Sequence, residues 1–275
     1  MNNKTSKIEI IKDQIRKHRI VFQLTLPFFM LGKSIRNGVD RIRGYRIFFR
    51  NLSKYKKMNK SDRFVRHFGY DFKCLTDWFD DAGPTNVYFW QDLWGAQLIN
   101  KKNPKKHYDI GSRIDGFIAN LAGCRDNIVL IDIRPLDAKI PGVDFFQADA
   151  TSLSGIEDNS VESLSALCSL EHFGLGRYGD PIDPDAWYKA MKSVERVLTE
   201  GGDAYISVPI GWERLEYNAH RVFYPQTIID TFDELTLVEF SSATDEGIEY
   251  DVDIHMYDDE KYNRGRRFGL FHFTK

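Results

Sequence analysis

From residue 105 onwards, short apolar segments alternate with segments that have the periodicity of a helix. Continuous apolar runs of this kind are typical of strands buried on both faces of a parallel sheet. The first run ends in a glycine turn before a helical pattern, which is typical of the first strand, turn and helix of an α/β domain. Seven strands are predicted, over residues 107–110, 127–133, 143–149, 163–173, 204–208, 235–240 and 267–273.

Two helices are predicted between the later strands. Residues 185–199 carry apolar side chains on one face, and this helix is expected to stop at Gly201-Gly202, since glycine commonly ends helices. The second covers residues 225–232. Earlier, residues 61–104 are interpreted as a helical cover whose aromatic stretch packs on the sheet, with Tyr88, Trp90 and Gln91 as further pocket candidates.

Three acidic residues stand at or near the ends of the first three strands: Asp109, Asp132 and Asp149. Because the carboxyl ends of parallel strands meet at one edge, we expect the three carboxylates to point into one crevice. Asp132 follows the first acid at close to the spacing of about 20 residues at which nucleotide-binding folds place a ribose-binding carboxylate. Each acid alone is equally compatible with a helix cap or a turn.

The composition indicates a folded protein with a real core, because 42% of its 275 residues are hydrophobic. Its three cysteines, Cys74, Cys124 and Cys168, are widely spaced and form no Cys-x-x-Cys pair. This pattern, together with the lack of a recognisable signal peptide, favours the reducing cytoplasm over secretion, and it predicts no structural zinc site.

The charge is distributed unevenly along the chain. Residues 1–60 contain 16 Lys/Arg and 3 Asp/Glu, so a basic helical segment precedes an acidic remainder. Its apolar run, residues 20–31, is too short to cross a bilayer and contains Pro27. The segment is expected either to pack on the acidic body of the same or a second subunit, which would make a homo-oligomer, or to lie on an anionic membrane surface. No nucleic-acid recognition motif accompanies the charge, so nucleic acid is not a predicted partner.

The motifs taken in order resemble class I S-adenosylmethionine-dependent methyltransferases over about residues 105–243. They are the Asp-Ile-Gly turn, the acid after the second strand, Ala-Asp-Ala after the third, Ser-Leu-Glu-His after the fourth, and the segment 194–209. Within that superfamily, residues 88–94, 109–117, 132–135, 171–180 and 218–223 resemble the domain-of-unknown-function family 268. The resemblance implies a Rossmann-like, mostly parallel seven-stranded sheet with an antiparallel last strand over residues 105–275. It also implies O-methylation of a sugar or glycan precursor in bacterial surface-polysaccharide biosynthesis.

The resemblance also implies which residues hold S-adenosylmethionine. The methionine end would lie by Asp109, Gly111 and Ser112, and the ribose by Asp132 with Ile133. The adenine would lie by Asp149 and Ala150, with Leu170 on the pocket floor. The first turn departs from the family's Gly-x-Gly-x-Gly, because Arg113 stands where the second glycine is expected. Arg113 is expected either to clamp the methionine carboxylate or to fill the site.

Transfer to a hydroxyl needs a base near the end of the fourth strand. His172 is favoured over Glu171, because adjacent residues of an extended chain face opposite ways and histidine titrates near working pH. His220 is the second choice of base, and Arg221 is a candidate anchor for an anionic acceptor. Residues 174–181 are predicted to form a glycine-rich lid that recognises a sugar or phosphate through Arg177, Tyr178 and Asp180.

Two alternatives remain beside the methyltransferase. One is a glycosyltransferase, or another transferase that uses a nucleotide-sugar, in the same crevice. This reading is favoured by the altered turn and by the arginines at 113, 134 and 177. The other is a catalytically silent scaffold held at a membrane surface by residues 1–60. The acidic tract 245–260 is interpreted as a solvated face, and no metal is predicted.

Overall fold

The computed structural model describes residues 37–61, 63, 66, 71–80, 83, 85–258 and 266–275. The apolar run at residues 20–31 therefore lies outside the described residues. The chain divides into two compact units, Met1–Pro84 and Thr85–Lys275. Within the described part of the chain, no helix combines the length and the apolar character needed to cross a membrane.

The first unit is helical over residues 37–58, which we label α1. A short 3-10 turn follows at Asp77–Phe79. The predicted boundaries at residues 60 and 104 stay predictions, but the second unit begins before the predicted cover ends. Its first helix, α2 (Val87–Lys102), starts after Asn86, whose side chain accepts hydrogen bonds from the backbone N–H groups of Tyr88 and Phe89. This helix packs into the core of the second unit through Trp94 and Ile99.

The second unit is built on an eight-stranded sheet with the order β3-β2-β1-β4-β5-β10-β8-β9. Strands β1 to β5 are parallel, whereas β10 pairs antiparallel with both β5 and β8. The predicted antiparallel last strand is thus confirmed. The bounds of the sheet's strands are β1 His107–Ile110, β2 Ile128–Asp132, β3 Val143–Gln147, β4 Val161–Leu167, β5 Leu198–Pro209, β8 Thr236–Ala243, β9 Ile248–Glu249 and β10 Phe268–Thr274.

Helices cover both faces of this sheet and give it two apolar layers. On one face, α2 and a π-turn at Ile114–Ile118 that continues into α3 (Ala119–Ala122) pack on the sheet. On the other face lie α4 (Ala186–Val197) and α5 (Pro225–Thr231). Because both faces are covered, β2 is a continuous apolar run up to its final Asp132, as the sequence pattern predicted.

Three sequence predictions need correction. The helix before Gly201-Gly202 ends at Val197, because β5 begins at Leu198 and runs through both glycines. Gly202 lies where the register of β4 and β5 shifts, and a Cβ there would lie 2.8 Å from the Thr199 carbonyl oxygen. The two glycines therefore serve a crowded bulge rather than a helix end. The predicted fourth strand ends at Leu167, and a 3-10 turn, Leu170–His172, replaces its last residues. The sheet also has an eighth strand.

The sequence pattern missed two short pairings. Strands β6 (Arg214–Glu216) and β7 (His220–Val222) form a separate antiparallel hairpin after β5. Strand β9 adds two residues to the edge of the sheet beside β8. Segments of two or three residues are too short for an apolar alternation to stand out.

Candidate active site

A cavity of about 830 Å³ lies at the carboxyl ends of strands β1 to β4. It is the place at which parallel α/β sheets commonly bind ligands. Of the predicted site residues, the cavity is lined by Gly111, Ser112, Arg113, Asp132, Ile133, Asp149, Ala150, His172, Arg177, Tyr178 and Asp180. Of the earlier pocket candidates, Tyr88 also lines it. The lining does not include Asp109, Leu170, Glu171, His220, Arg221, Trp90 or Gln91.

The turn after β1 requires glycine at its first position. Gly111 has a φ of 66°, and a Cβ there would lie 3.2 Å from the Cβ of Ser169. The Gly111 N–H donates to the carbonyl of Ile131, which ties the turn to β2. The backbone thus passes close to the end of β4 and leaves room for a ligand.

Asp109 holds this turn from below. Its carboxylate is fully buried and accepts hydrogen bonds from the Ser112 N–H at 3.0 Å, the Ser112 hydroxyl at 2.7 Å and the Ser165 hydroxyl at 2.6 Å. Burial raises its pKa to about 6, whereas the hydrogen bonds oppose the rise. These bonds turn the Asp109 side chain into the core and away from the cavity lining, and its place beside the cofactor stays a prediction.

Asp132 and Arg134 form a close pair at the end of β2. The Arg134 Nε and Nη2 atoms donate to the two carboxylate oxygens at 3.0 and 2.7 Å, and the Arg134 N–H donates at 2.9 Å. The Arg134 guanidinium also lies 4.5 Å from the centre of the Tyr178 ring. Asp132 is therefore held in one orientation at the cavity wall.

Asp149 lines the cavity next to Ala150, but its carboxylate already has a backbone partner. Its Oδ1 atom accepts from the Thr151 N–H at 2.8 Å, which is the arrangement of an Asx turn. The turn-forming role considered from the sequence is thus present, and the side chain still stands at the cavity.

Arg113 does not project freely into the cavity. Its Nη2 atom lies 3.2 Å from each carboxylate oxygen of Asp115, and the guanidinium stands 5.2 Å from the centre of the Tyr88 ring. The second glycine of the turn region, Gly116, has a different task, since a Cβ there would lie 2.2 Å from Asp92 Oδ2. In this altered turn, Gly116 therefore allows a close contact with α2.

The end of β4 brings together His172 and Glu171. The Nδ1 atom of His172 lies 2.6 Å from the Ala219 carbonyl oxygen, so Nδ1 carries the proton and donates it. Its Nε2 atom lies 3.5 Å from Glu171 Oε1. Burial lowers the pKa of His172 to about 4 and raises the pKa of Glu171 to about 8. At pH 7 these shifts favour the neutral form of both side chains.

Of His172 and Glu171, His172 is the one that lines the cavity, so it remains the favoured base. The geometry nevertheless removes both reasons for which the sequence favoured it. The two residues lie in a 3-10 turn rather than in an extended strand, so alternation does not separate them. The expectation that His172 titrates near working pH is corrected, because the side chain is buried. His220 stands beside it, with ring centres 6.2 Å apart, and burial lowers the pKa of His220 as well.

Two residues predicted to recognise a substrate hold the loop itself. Asp180 accepts hydrogen bonds from the N–H groups of Gly174, Gly176 and Tyr178. These bonds lower its pKa although burial opposes the shift. Arg221 donates to the carbonyl oxygens of Glu171, Phe173 and Pro184. The anchor role of Arg221 stays a prediction, and its guanidinium is hydrogen-bonded to the backbone that carries the site.

Ser169 is not among the predicted site residues. It lines the cavity, and its buried hydroxyl has no hydrogen-bond partner among the described residues. The buried His107 is not among them either, although His107 and Asp109 share one strand face in a segment expected to be apolar. Such a polar pair within a buried strand was the available signal.

Among the residues that the structure describes, no group of His, Cys, Asp or Glu side chains is arranged to hold a metal ion.

Comparison with known proteins agrees with the resemblance drawn from the motifs. A family model described as "Caenorhabditis protein of unknown function, DUF268" matches residues 150–264. No curated protein sequence matches the chain. The family model thus agrees with the predicted resemblance to the domain-of-unknown-function family 268 over residues 150–264.

Several solved structures are similar to this chain in fold. The [4+2]-cyclase SpnF has 14% identity and a TM-score of 0.47, over 67% of this chain and 81% of that chain. The 1,6-didemethyltoxoflavin-N1-methyltransferase of Burkholderia thailandensis, with bound 1,6-didemethyltoxoflavin and S-adenosylhomocysteine, has 16% identity and a TM-score of 0.48, over 72% and 80%. The N-methyltransferase NodS of Bradyrhizobium japonicum WM9, in complex with S-adenosylhomocysteine, has 15% identity and a TM-score of 0.45, over 72% and 91%.

Proposed function

We propose that this protein is an S-adenosylmethionine-dependent methyltransferase that methylates a hydroxyl of a sugar or glycan precursor in bacterial surface-polysaccharide biosynthesis. The observation that carries the proposal is the cavity at the carboxyl ends of β1 to β4, where the Gly111 turn, Asp132 and Asp149 stand on one wall and His172 on another. The first wall would hold the nucleoside of the cofactor, and the second would act on the reacting group of the acceptor.

The residues present fit the cofactor. Gly111 and Ser112 line the cavity, so a methionine end would lie along this turn. Asp132 would accept hydrogen bonds from the ribose hydroxyls, and Asp149 with Ala150 would border the adenine. The unpartnered hydroxyl of Ser169 is a buried group that a bound ligand would satisfy. When bound, the cofactor supplies an electrophilic methyl group.

The chain's own residues then have to orient the acceptor and take its proton. We assign the proton to Nε2 of His172, because Nδ1 is held by the Ala219 carbonyl. A base of low pKa suffices for this step, since an alcohol oxygen becomes strongly acidic once the methyl group has bonded to it. Arg177 and Tyr178 line the same part of the cavity and would contact the acceptor.

A second candidate, transfer from a nucleotide-sugar, is favoured by one specific observation. Arg113, Arg134 and Arg177 all line the cavity, and a diphosphate would suit three guanidinium groups. Two of the three are already paired with carboxylates, Arg113 with Asp115 and Arg134 with Asp132. This pairing is why we place the methyltransferase first.

Ligand-induced thermal shifts of the full chain test the proposal. S-adenosylhomocysteine is expected to raise the melting temperature, and calorimetry is expected to show one site per chain. A shift with a nucleoside diphosphate alone would replace the methyltransferase by the second candidate. A shift with neither ligand would support a catalytically silent scaffold.

We also propose that the protein works in the cytoplasm, at the inner face of the membrane, through residues 1–60. The support is the excess of Lys/Arg over Asp/Glu in this segment, 16 against 3. Within α1, the side chains of Val39, Ile42, Tyr45 and Phe49 are exposed on one side of the helix. An exposed apolar stripe among basic residues suits an anionic lipid surface.

Sedimentation with vesicles tests the membrane proposal. The full chain is expected to pellet with anionic vesicles at ~0.1 M salt, where screening reaches about 10 Å, and not with zwitterionic ones. Removal of residues 1–60 should abolish pelleting. If the full chain stays in the supernatant, the segment instead packs on the acidic body of its own or a second subunit, and the chain's oligomeric state becomes the quantity to measure.

A further inference from the structure

A chain of buried hydrogen bonds runs under the turn that begins at Gly111. The His107 side chain is fully buried on β1, and its Nε2 atom lies 2.9 Å from the Ser165 hydroxyl. Ser165 Oγ lies 2.6 Å from Asp109 Oδ1, and Asp109 receives both the N–H and the hydroxyl of Ser112. We call His107, Ser165, Asp109 and Ser112 the buried polar chain.

The register of the sheet explains why these side chains meet. Asp109 is directly opposite Ser165 in the parallel pairing of β1 and β4. His107 lies two residues before Asp109, so both side chains point to the same face of the sheet. Four polar side chains from two neighbouring strands and the following turn thus line up in a region that is otherwise apolar.

The donor direction follows from the chemistry of the groups. A carboxylate only accepts, so the Ser165 hydroxyl donates to Asp109 and is left to accept from His107. His107 therefore carries its proton on Nε2, and Nδ1 accepts from the Ser163 hydroxyl at 2.8 Å. Burial lowers the pKa of His107 to about 3, which agrees with a neutral imidazole in one tautomer. The same arrangement leaves Ser112 bound at both ends, because its hydroxyl also accepts from the Leu167 N–H at 3.1 Å.

We propose that His107 is a positioning residue that holds the cofactor turn in the shape that binds the ligand. The Nε2–H group of His107 donates to Ser165, the Ser165 hydroxyl donates to Asp109, and the Asp109 carboxylate holds Ser112. This inference rests on the proposed function, because it takes the Gly111–Ser112 turn as the binding turn. His107 itself does not line the cavity. The effect of His107 on the ligand passes through three hydrogen bonds. Its role therefore differs from the ligand-contacting roles that the proposed function assigns to other residues.

The chain offers a matched pair of variants. Ser165→Ala cuts His107 off from Asp109, whereas Ser163→Ala removes a bond of similar length on the other side of the same imidazole. Both leave one nitrogen of a buried histidine without its partner. By calorimetry, Ser165→Ala is expected to weaken S-adenosylhomocysteine binding about tenfold, the factor typical of a hydrogen bond to a charged group. Ser163→Ala is expected to leave the affinity unchanged, although both variants lower the melting temperature.

A spectroscopic measurement keeps the inference separate from the proposed function. Nitrogen NMR of the ligand-free full chain should show His107 protonated on Nε2, and exchange of the Ser112 amide hydrogen should speed up in Ser165→Ala but not in Ser163→Ala. If the parent does not bind S-adenosylhomocysteine, the proposed function fails while these two signals still support the positioning role. Equal effects of both variants on affinity and exchange, or protonation on Nδ1, would overturn it.

A second pair of variants covers the case in which Ser165→Ala does not fold. His107→Gln keeps an amide donor that reaches towards Ser165, and His107→Leu keeps the volume without the donor. Binding and Ser112 exchange close to the parent in His107→Gln, with about tenfold weaker binding in His107→Leu, would support the role. Identical behaviour of the two variants would contradict it.

Discussion

The two walls of the cavity treat their polar groups in opposite ways. On the wall formed by β1 to β3, the carboxylates are satisfied: Asp132 by Arg134 and Asp149 by the Thr151 N–H. Asp109, which does not itself line the cavity, is satisfied by Ser112 and Ser165. On the wall formed by the end of β4, Ser169 Oγ is buried without a hydrogen-bond partner among the described residues, and so is Oε2 of Glu171, which is adjacent to the lining residue His172.

We interpret the first wall as the surface that binds the ligand and the second wall as the place of the reaction. Satisfied carboxylates present a fixed surface, which lowers the entropy that a ligand must lose on binding. Unsatisfied buried groups cost stability, and native proteins keep them mainly where a ligand or a reaction uses them. The opposite pKa shifts of Glu171 and His172 lie on this second wall, as expected for a reacting site.

The largest expected effect concerns Glu171, at the end of β4, and the pH dependence of the free energy of unfolding. Its pKa is raised to about 8, so the unfolded chain releases this proton first and stability is lost as the pH rises towards and through 8. From pH 5 to 9 this loss amounts to roughly 4 kcal/mol. Glu171→Gln cannot ionise and should lack the loss, as measured by urea unfolding at several pH values.

The pKa of His172 determines the pH range in which that measurement is most informative. Its lowered pKa of about 4 makes stability rise with pH between 4 and the ordinary range of histidine, which opposes the Glu171 effect there. The comparison is therefore cleanest between pH 7 and 9, where only Glu171 titrates of the two. Parallel stability curves for parent and Glu171→Gln in this window would show that the carboxyl is not held neutral.

The next prediction tests the satisfied wall at Asp132. Asp132→Ala should weaken S-adenosylhomocysteine binding by about 1.5–3 kcal/mol, because two ribose hydroxyls lose their acceptor. The fold should be unaffected, since the side chain stands at a cavity wall. Calorimetry of parent and variant decides it. Asp144→Ala, on the exposed side of β3, serves as control; if both variants bind as the parent does, Asp132 does not hold the ribose.

A smaller effect is expected at Arg113, whose guanidinium is paired with Asp115. If it also clamps the methionine carboxylate, Arg113→Ala should weaken S-adenosylmethionine binding by roughly tenfold. Asp115→Ala frees the same guanidinium and should not weaken binding. Tighter binding by Arg113→Ala would mean that the side chain obstructs the site. Loss of a nucleoside-diphosphate shift would mean that it contacts phosphate.

The smallest expected effect concerns Ser169. Its buried hydroxyl has no partner, so Ser169→Ala should leave the ligand-free protein as stable as the parent or more stable by ~0.5–1 kcal/mol. Binding of S-adenosylhomocysteine should weaken in the same variant, because the hydroxyl loses its ligand. Thermal unfolding with and without ligand measures both. A variant that is less stable without ligand would place Ser169 among the satisfied groups instead.

The sequence by itself determined the sheet and the edge at which the site lies. Continuous apolar runs and the spacing of Asp109 and Asp132 suffice for that, because burial on both faces and the crossover length constrain strands locally. Eleven of the predicted site residues line the cavity. The same reasoning placed the end of α4 at Gly201-Gly202, since a glycine pair has the same local signature at a helix end and at a bulge.

Only the tertiary structure decided which polar groups are paired and what that does to them. The inward turn of Asp109, the commitment of Arg221 to three carbonyl oxygens and the neutral state of His172 depend on partners about 50 residues away along the chain. Proton affinity and side-chain direction at such positions are set by burial and by neighbours from other strands. No local pattern carries that information, so it appears only when the strands have come together.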